Sequence, residues 1–296
     1  MNRPRAVLVT GGGTGIGAAT ARMLAAAGHR VAICGRRAGP LRAVAAETGA
    51  LDLVCDTADA HQVDKLIGSV TEIFGGLDGL VLNAGIMAPG GVAELSPGDF
   101  VKMVSVNLTG AFLVAREALP HLIARRGAIV SVASVAALRA ASGMGGYAAT
   151  KAGLAMLTQS LAVDHAHHGL RANVVCPGWT VTEMADEEMA AFGRERGLDV
   201  AAAYRLVTAL VPQRRPAHAD EVAAVIAWLL SDAASYVNGA VIPVDGSSVA
   251  VDAGTVPFDP RVRLNLGHAH GLGRGPASGL GQGADDGGHD TVGPGG

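Results

Sequence analysis

The sequence predicts an α/β fold in which seven parallel strands form one doubly wound sheet, flanked by helices on both faces. Three observations predict it. Short apolar runs bounded by glycine or polar residues alternate with segments carrying apolar residues at helical spacing. A glycine cluster, GGGTGIG at 11–17, separates the first such run from the first such helix. The polar motifs fall where apolar runs end, which is where a parallel sheet of this kind opens its ligand crevice.

Taken in order, residues 5–10 (RAVLVT) form a strand buried on both faces. The glycine cluster follows, and then a helix over 18–28. In this context Gly11, Gly15 and Gly17 let the backbone turn tightly and approach a pyrophosphate at the helix N-terminus, flanked by Thr14 and Ile16. This is a Rossmann-like dinucleotide site. A second strand, 30–34, is followed by Gly35, Arg36 and Arg37 where an acidic residue would bind a ribose 2′-hydroxyl. Arginines there suit a 2′-phosphate, so NADP(H) is favoured; NAD(H) stays open, because Arg36 alone does not forbid it. The alternative for both arginines is a solvated helix start.

A third strand, 51–55, ends at Asp56 and Thr57, with Asp56 an acceptor for an adenine amino group. After a helix over 61–74, the fourth strand (Gly79–Leu82) ends in Asn83, Ala84 and Gly85, small enough for a ring or ribose to lie on the backbone. Asn83 equally suits a turn cap that ties neighbouring strands. Residues 97–125 read as one long amphipathic helix with Asn107 near its middle, either at a kink that frees a carbonyl or as a satisfied core amide. The fifth strand, 128–133, delivers Ser134.

The next helix runs from Tyr147 to about residue 167. On it Lys151 stands four residues after Tyr147, on the same face. An ammonium near a phenol favours the phenolate and lowers its pKa, which suits proton exchange with a carbonyl or carbinol oxygen. A sixth strand, 171–176, leads to PGWTVT at 177–182. Residues 183–210 are helical, broken at Gly193 and Gly197, and placed to act as a lid. A helix over 220–230 and a strand over 240–244 close the sheet. The domain spans 1–255, and the Gly-rich stretch 256–296 is expected to be disordered, its His268, His270 and His289 incidental rather than ligating.

Composition excludes several classes. Lys plus Arg number 23 against 26 Asp plus Glu, a net charge of −3 with no basic footprint for nucleic acid. No apolar run reaches the roughly 18 residues of a membrane span, and the first residues have no signal-peptide h-region. Cys34, Cys55 and Cys176 are odd in number and far apart, which fits buried free thiols in a cytoplasmic protein and no metal site.

Together, TGGGTGIG at 10–17, Asp56, NAG at 83–85, Asn107, Ser134, YAATK at 147–151 and PGWTVT at 177–182 resemble the short-chain dehydrogenase/reductase family over about residues 4–255. Within it the chain is similar to NADP-preferring ketoreductases of the 3-oxoacyl-carrier-protein type. The resemblance implies a tetrad of Asn107, Ser134, Tyr147 and Lys151. Tyr147 would be the acid/base, Ser134 would orient the substrate oxygen, and Lys151 would bind the nicotinamide ribose. Asn107 would support a relay water. It also implies cofactor contacts from Pro177, Gly178, Thr180 and Thr182, and a homotetramer or homodimer. Two positions depart from the family pattern: Leu82 replaces an Asn, and Thr180 a hydrophobic residue. The expected activity is interconversion of a ketone and a secondary alcohol, as an NADPH-dependent reductase or, alternatively, an NAD-dependent alcohol dehydrogenase. A non-catalytic dinucleotide-binding regulator is the alternative from another class. Leu138, Met144, Trp179 and Met184 are expected to make the substrate pocket apolar, suited to a medium-sized, mostly uncharged ketone or alcohol.

Overall fold

The structure, a computed structural model, describes residues 3–259. Its strands are β1 (Ala6–Thr10), β2 (Arg30–Gly35), β3 (Leu51–Val54), β4 (Gly79–Leu82), β5 (Ala128–Val132), β6 (Arg171–Pro177), β7 (Thr180–Val181), β8 (Ala217–His218) and β9 (Val241–Val244). Seven of them form one parallel sheet in the order β3-β2-β1-β4-β5-β6-β9. The chain lays β2 and β3 outward on one side of β1, then returns to place β4 on the other. The crevice at the carboxyl ends of β1 and β4 is therefore the switch point at which such sheets bind ligands.

The helices are α1 (Gly15–Ala26), α2 (Ala38–Thr48), α3 (Ala60–Phe74), α4 (Pro97–Val104), α5 (Gly110–Arg125), α6 (Gly145–His165), α7 (Glu183–Arg194), α8 (Val200–Val207) and α9 (Ala219–Leu230). Successive strand residues face opposite ways. Val7, Val9, Ile33, Val81 and Val130 pack beneath α1, α2 and α9, whereas Leu8, Leu80, Leu82 and Ile129 pack beneath α3, α5 and α6. With both faces covered, β1, β4 and β5 are buried along their whole length, each large side chain contributing roughly 1.5–3 kcal/mol. Local signals set the helix ends. Asp59 accepts from the His61 and Gln62 N–H groups at 2.9 and 3.1 Å to start α3, and Gly75 at φ 67° ends it.

Residues 97–125 form one continuous 29-residue helix, as expected, but α4 and α5 are joined through a π-helical turn, Ser105–Thr109. By length and mean hydropathy this helix is long and apolar enough to cross a bilayer, though no unbroken apolar run in it reaches 18 residues. Met103, Val114, Ala118 and Leu122 are nonetheless buried against the rest of the fold, so it serves as a core helix here. The 183–210 segment is two helices, broken near Gly197 as expected, while Gly193 stays within α7. Gly197, at φ 67°, turns the chain, and Asp199 caps α8 by accepting from Ala202 N at 2.6 Å. Ala185, Met189, Ala203 and Tyr204 give the pair a small core of its own. The parallel pair β7–β8 was not anticipated, and α6 begins at Gly145, two residues before Tyr147.

By contacts the chain divides into Met1–Ala253, which holds the sheet and the site, and Gly254–Gly296. Within the second unit, the described residues up to Phe258 complete a short 3₁₀ stretch. The remainder of the Gly-rich tail, with its three histidines, lies outside the described residues.

Candidate active site

A cavity of about 840 Å³ opens at the carboxyl ends of β1, β4, β5 and β6. At one end lies the loop from β1 into α1. Gly11 and Gly15 hold φ values of 65° and 53°, a region that side chains disfavour. A Cβ on Gly17 would stand 2.2 Å from the Gly11 carbonyl oxygen and 2.6 Å from Asn83 Nδ2. Gly17 therefore lies under the loop, not in the cavity wall. Thr14 makes no side-chain cap, so the N–H groups of the first α1 turn face the cavity without a side-chain acceptor.

Thr10 and Asn83 hold this end together. The Thr10 hydroxyl donates to Val81 O at 3.2 Å and accepts from the Asn83 and Ala84 N–H groups at 3.0 and 3.1 Å. Asn83 Nδ2 in turn donates to Thr10 O and Gly11 O at 3.0 and 3.2 Å. The cross-link between strand ends is thus a role that Asn83 fills. Asp56 accepts from Ala58 N at 3.0 Å and lines the cavity with Thr57, Ile16, Arg36 and Arg37. Arg37 pairs with Glu183 and reaches Thr14 Oγ1 at 3.4 Å. Arg36 has no ion-pair partner among the described residues.

At the other end Ser134, Tyr147 and Lys151 come together beneath Gly85. Ser134 accepts from Ala136 N at 3.1 Å, and its hydroxyl lies close enough to the Tyr147 phenol to draw its pKa down. Lys151 Nζ is buried, donates to Val132 O at 2.9 Å, and sits 5.7 Å from the Tyr147 ring centroid. A Cβ on Gly85 would stand 3.2 Å from that amine. Burial pushes the phenol up to about 12, and the Ser134 hydroxyl only partly opposes it. Burial also pushes Lys151 down to about 8. In this arrangement burial, rather than Lys151, sets the direction of the Tyr147 shift.

Asn107 lies behind this group, fully buried in the π turn. Its Oδ1 accepts from Ile86 N at 2.8 Å, and its Nδ2 donates to Ile86 O and Thr150 Oγ1 at 2.9 and 3.0 Å. Its amide is satisfied in the core and it does not line the cavity, unlike Ile86. Pro177, Gly178, Thr180 and Thr182 line the wall from β6 and β7. Thr182 also caps α7 by accepting from Ala185 N at 3.2 Å.

Of the expected substrate-pocket residues, Met144, Trp179 and Met184 line the cavity. Leu138 does not: it packs against Ala133, Ala155, Val174 and Cys176, and this corrects its assignment. Glu187, Glu188, Ser248 and Val249 line the cavity without having been singled out. Two adjacent acids on a helix read as a solvated face, and the Ser248–Val249 pair follows the last strand with no motif to mark it.

The family model described as "Enoyl-(Acyl carrier protein) reductase" matches residues 11–247. The chain is 42% identical over 261 residues to Protein MoaE of Klebsiella aerogenes, covering 86% of this chain and 99% of that one. It belongs to the short-chain dehydrogenase/reductase family. Levodione reductase of Leifsonia aquatica is 37% identical over 83% of this chain and 94% of its own. The crystal structure of levodione reductase matches with a TM-score of 0.80, covering 84% of this chain and 98% of that one. An actinorhodin polyketide ketoreductase solved with NADPH matches at 0.79 and 32% identity, covering 82% and 97%. This short-chain dehydrogenase/reductase is thus an NAD(P)(H)-dependent oxidoreductase that interconverts a ketone and a secondary alcohol, not a non-catalytic binding protein. The glycines at which a Cβ would clash, and the uncapped start of α1, fit a dinucleotide.

Proposed function

We propose that the chain is an NADPH-dependent ketone reductase in which Tyr147 is the proton donor. The observation that carries this reading is the meeting of Ser134, Tyr147 and Lys151 in one cavity with the glycine loop. A bound nicotinamide dinucleotide would supply the hydride, resting on Gly11–Gly17, Asp56, Asn83–Gly85 and the 177–182 segment. Tyr147, with its pKa near 12, is protonated at neutral pH and has a proton to give to a forming alkoxide. Ser134, which lines the same cavity beside that phenol, orients the same substrate oxygen. Lys151 supplies positive charge close to the phenolate that remains, and binds the cofactor's ribose. Asn107 acts indirectly, holding the Ile86 main chain in the cavity wall.

Arg36, with no ion-pair partner among the described residues, supports recognition of a 2′-phosphate. A second reading, NAD-dependent alcohol oxidation, is favoured by one observation: Arg37 is engaged by Glu183 and leaves Arg36 alone. Phe112, Met156 and Val163 are apolar and exposed on α5 and α6, which supports a homotetramer or homodimer. The test is kcat/KM for NADPH and NADH with one simple ketone, on wild type, Arg36→Ala and Tyr147→Phe. An NADPH preference that collapses in Arg36→Ala, with turnover lost in Tyr147→Phe while dinucleotide binding persists, is the expected result. Unchanged turnover in Tyr147→Phe overturns its role, and an NADH preference indifferent to Arg36 selects the second reading.

A further inference from the structure

Glu188 stands one helical turn beyond Met184 on the cavity-facing side of α7 and lines the same cavity as Ser134 and Tyr147. It is half-buried, and no side chain among the described residues bonds or pairs with its carboxylate. Burial alone raises its pKa, and its charge is near enough to push the Tyr147 phenol further up. Of the cations that line the cavity, Arg36 and Lys151 belong to the dinucleotide and proton-transfer ends, and the other two make contacts of their own. Arg37 is held by Glu183, and Arg139 donates to Leu138 O and Val249 O at 2.9 and 3.4 Å. Glu187, exposed, adds a second negative charge to the same wall. The cavity therefore carries an unmatched, half-buried carboxylate near the proton donor. A desolvated charge of this kind is stabilised when a ligand supplies its partner.

We propose that Glu188 is a specificity-determining residue, accepting a hydrogen bond from a donor group that the ketone or alcohol carries away from its reacting carbon. A protonated amine suits this carboxylate best and a hydroxyl next, whereas a carboxylate in the same place is repelled. The inference rests on the reading of the cavity as a ketone-reducing site. It refines the expectation of an uncharged substrate by naming one end of the pocket as acidic.

The test uses four methyl ketones of equal chain length ending in an ammonium, a hydroxyl, a methyl or a carboxylate group. The wild type is expected to rank them in that order by kcat/KM. In Glu188→Gln the ammonium-to-methyl ratio should fall by roughly tenfold or more, mainly through KM, as for the loss of one charge-assisted hydrogen bond. Glu187→Gln, on an exposed side chain, should move that ratio by less than about threefold. A wild type that prefers the carboxylate ketone overturns the proposal, and this arm needs no variant. So does a ratio that Glu188→Gln leaves unchanged. If the wild type reduces the methyl ketone, the functional reading stands and only the role of Glu188 is at stake. If it reduces none of the four while still binding dinucleotide, the functional reading fails and takes this inference with it.

Discussion

Arg37, in the loop after β2, grips Glu183, the first residue of α7, through both terminal guanidinium nitrogens at 2.5 and 2.9 Å. The pair joins the segment expected to meet a cofactor's ribose to the helix that covers the substrate end. Both side chains are about half exposed, so solvent screens the attraction and its share of stability is small. Its consequence is competition: a 2′-phosphate and Glu183 ask for the same guanidinium.

Glu183→Gln should therefore release Arg37. The KM for NADPH falls severalfold while that for NADH stays the same, because only the phosphate uses the freed charge. Melting temperature should hardly move. Steady-state kinetics with both cofactors, beside a calorimetric scan, checks this; an equal change for the two cofactors would separate the pair from cofactor choice.

Lys151 is held below its ordinary pKa by burial, at about 8 against 10.5. Folding thus favours the neutral amine. The associated stability is present above about pH 10.5 and is lost as the pH falls through 8. Below that, the buried ammonium costs on the order of 3 kcal/mol. Lys151→Met should melt above the wild type at pH 7, with the gap closing as the pH rises from 8 to 10.5, and it should be inactive. Stability against activity is the trade expected of a functional site.

Asn107→Leu removes three hydrogen bonds at once and leaves both main-chain groups of Ile86 without these partners. Loss on the order of 3 kcal/mol is expected, a fall of roughly 5–10 °C in melting temperature for a domain of this size. Denaturant titration measures it. A change below 1 kcal/mol would mean that water replaces the amide.

Gly17→Ala places a methyl group 2.2 Å from the Gly11 carbonyl oxygen, and the loop cannot retreat without moving Asn83. Dinucleotide affinity should drop at least tenfold by fluorescence titration. Gly28→Ala is the control. No atom lies within 4 Å of its added Cβ, although its φ of 81° carries strain of its own, so it should affect stability and spare affinity.

The parts of the fold that obey a period were legible in the sequence. Apolar runs such as AVLVT and GLVL gave the central strands, and the glycines gave the first loop because no other residue fits there. Ser134, Tyr147 and Lys151 were legible because a strand end and a helical i,i+4 spacing bring them together. What was not legible depends on tertiary surroundings. β7 and β8 are two residues each, too short to show alternation. Leu138 follows a motif serine by four positions, yet faces the core under β6 rather than the cavity. The direction of the Tyr147 pKa shift comes from burial, which sequence does not display. Glu188 reads as surface charge until α7 is seen to turn that side inward.

The π turn at Ser105–Thr109 has a consequence for the chain's length. Each residue advances an α-helix by about 100°, so one extra residue in one turn sets α4 and α5 out of phase along a single rod. Met103 on one stretch and Val114 and Ala118 on the next are buried on either side of the turn, with Asn107 at the join. Removing one residue between 105 and 109 would restore regular helical bonding and close the widened turn that holds the Asn107 amide on Ile86 and Thr150. The number of residues from Pro97 to Arg125 is thereby as constrained as their identity: this helix can exchange side chains far more readily than it can gain or lose a residue.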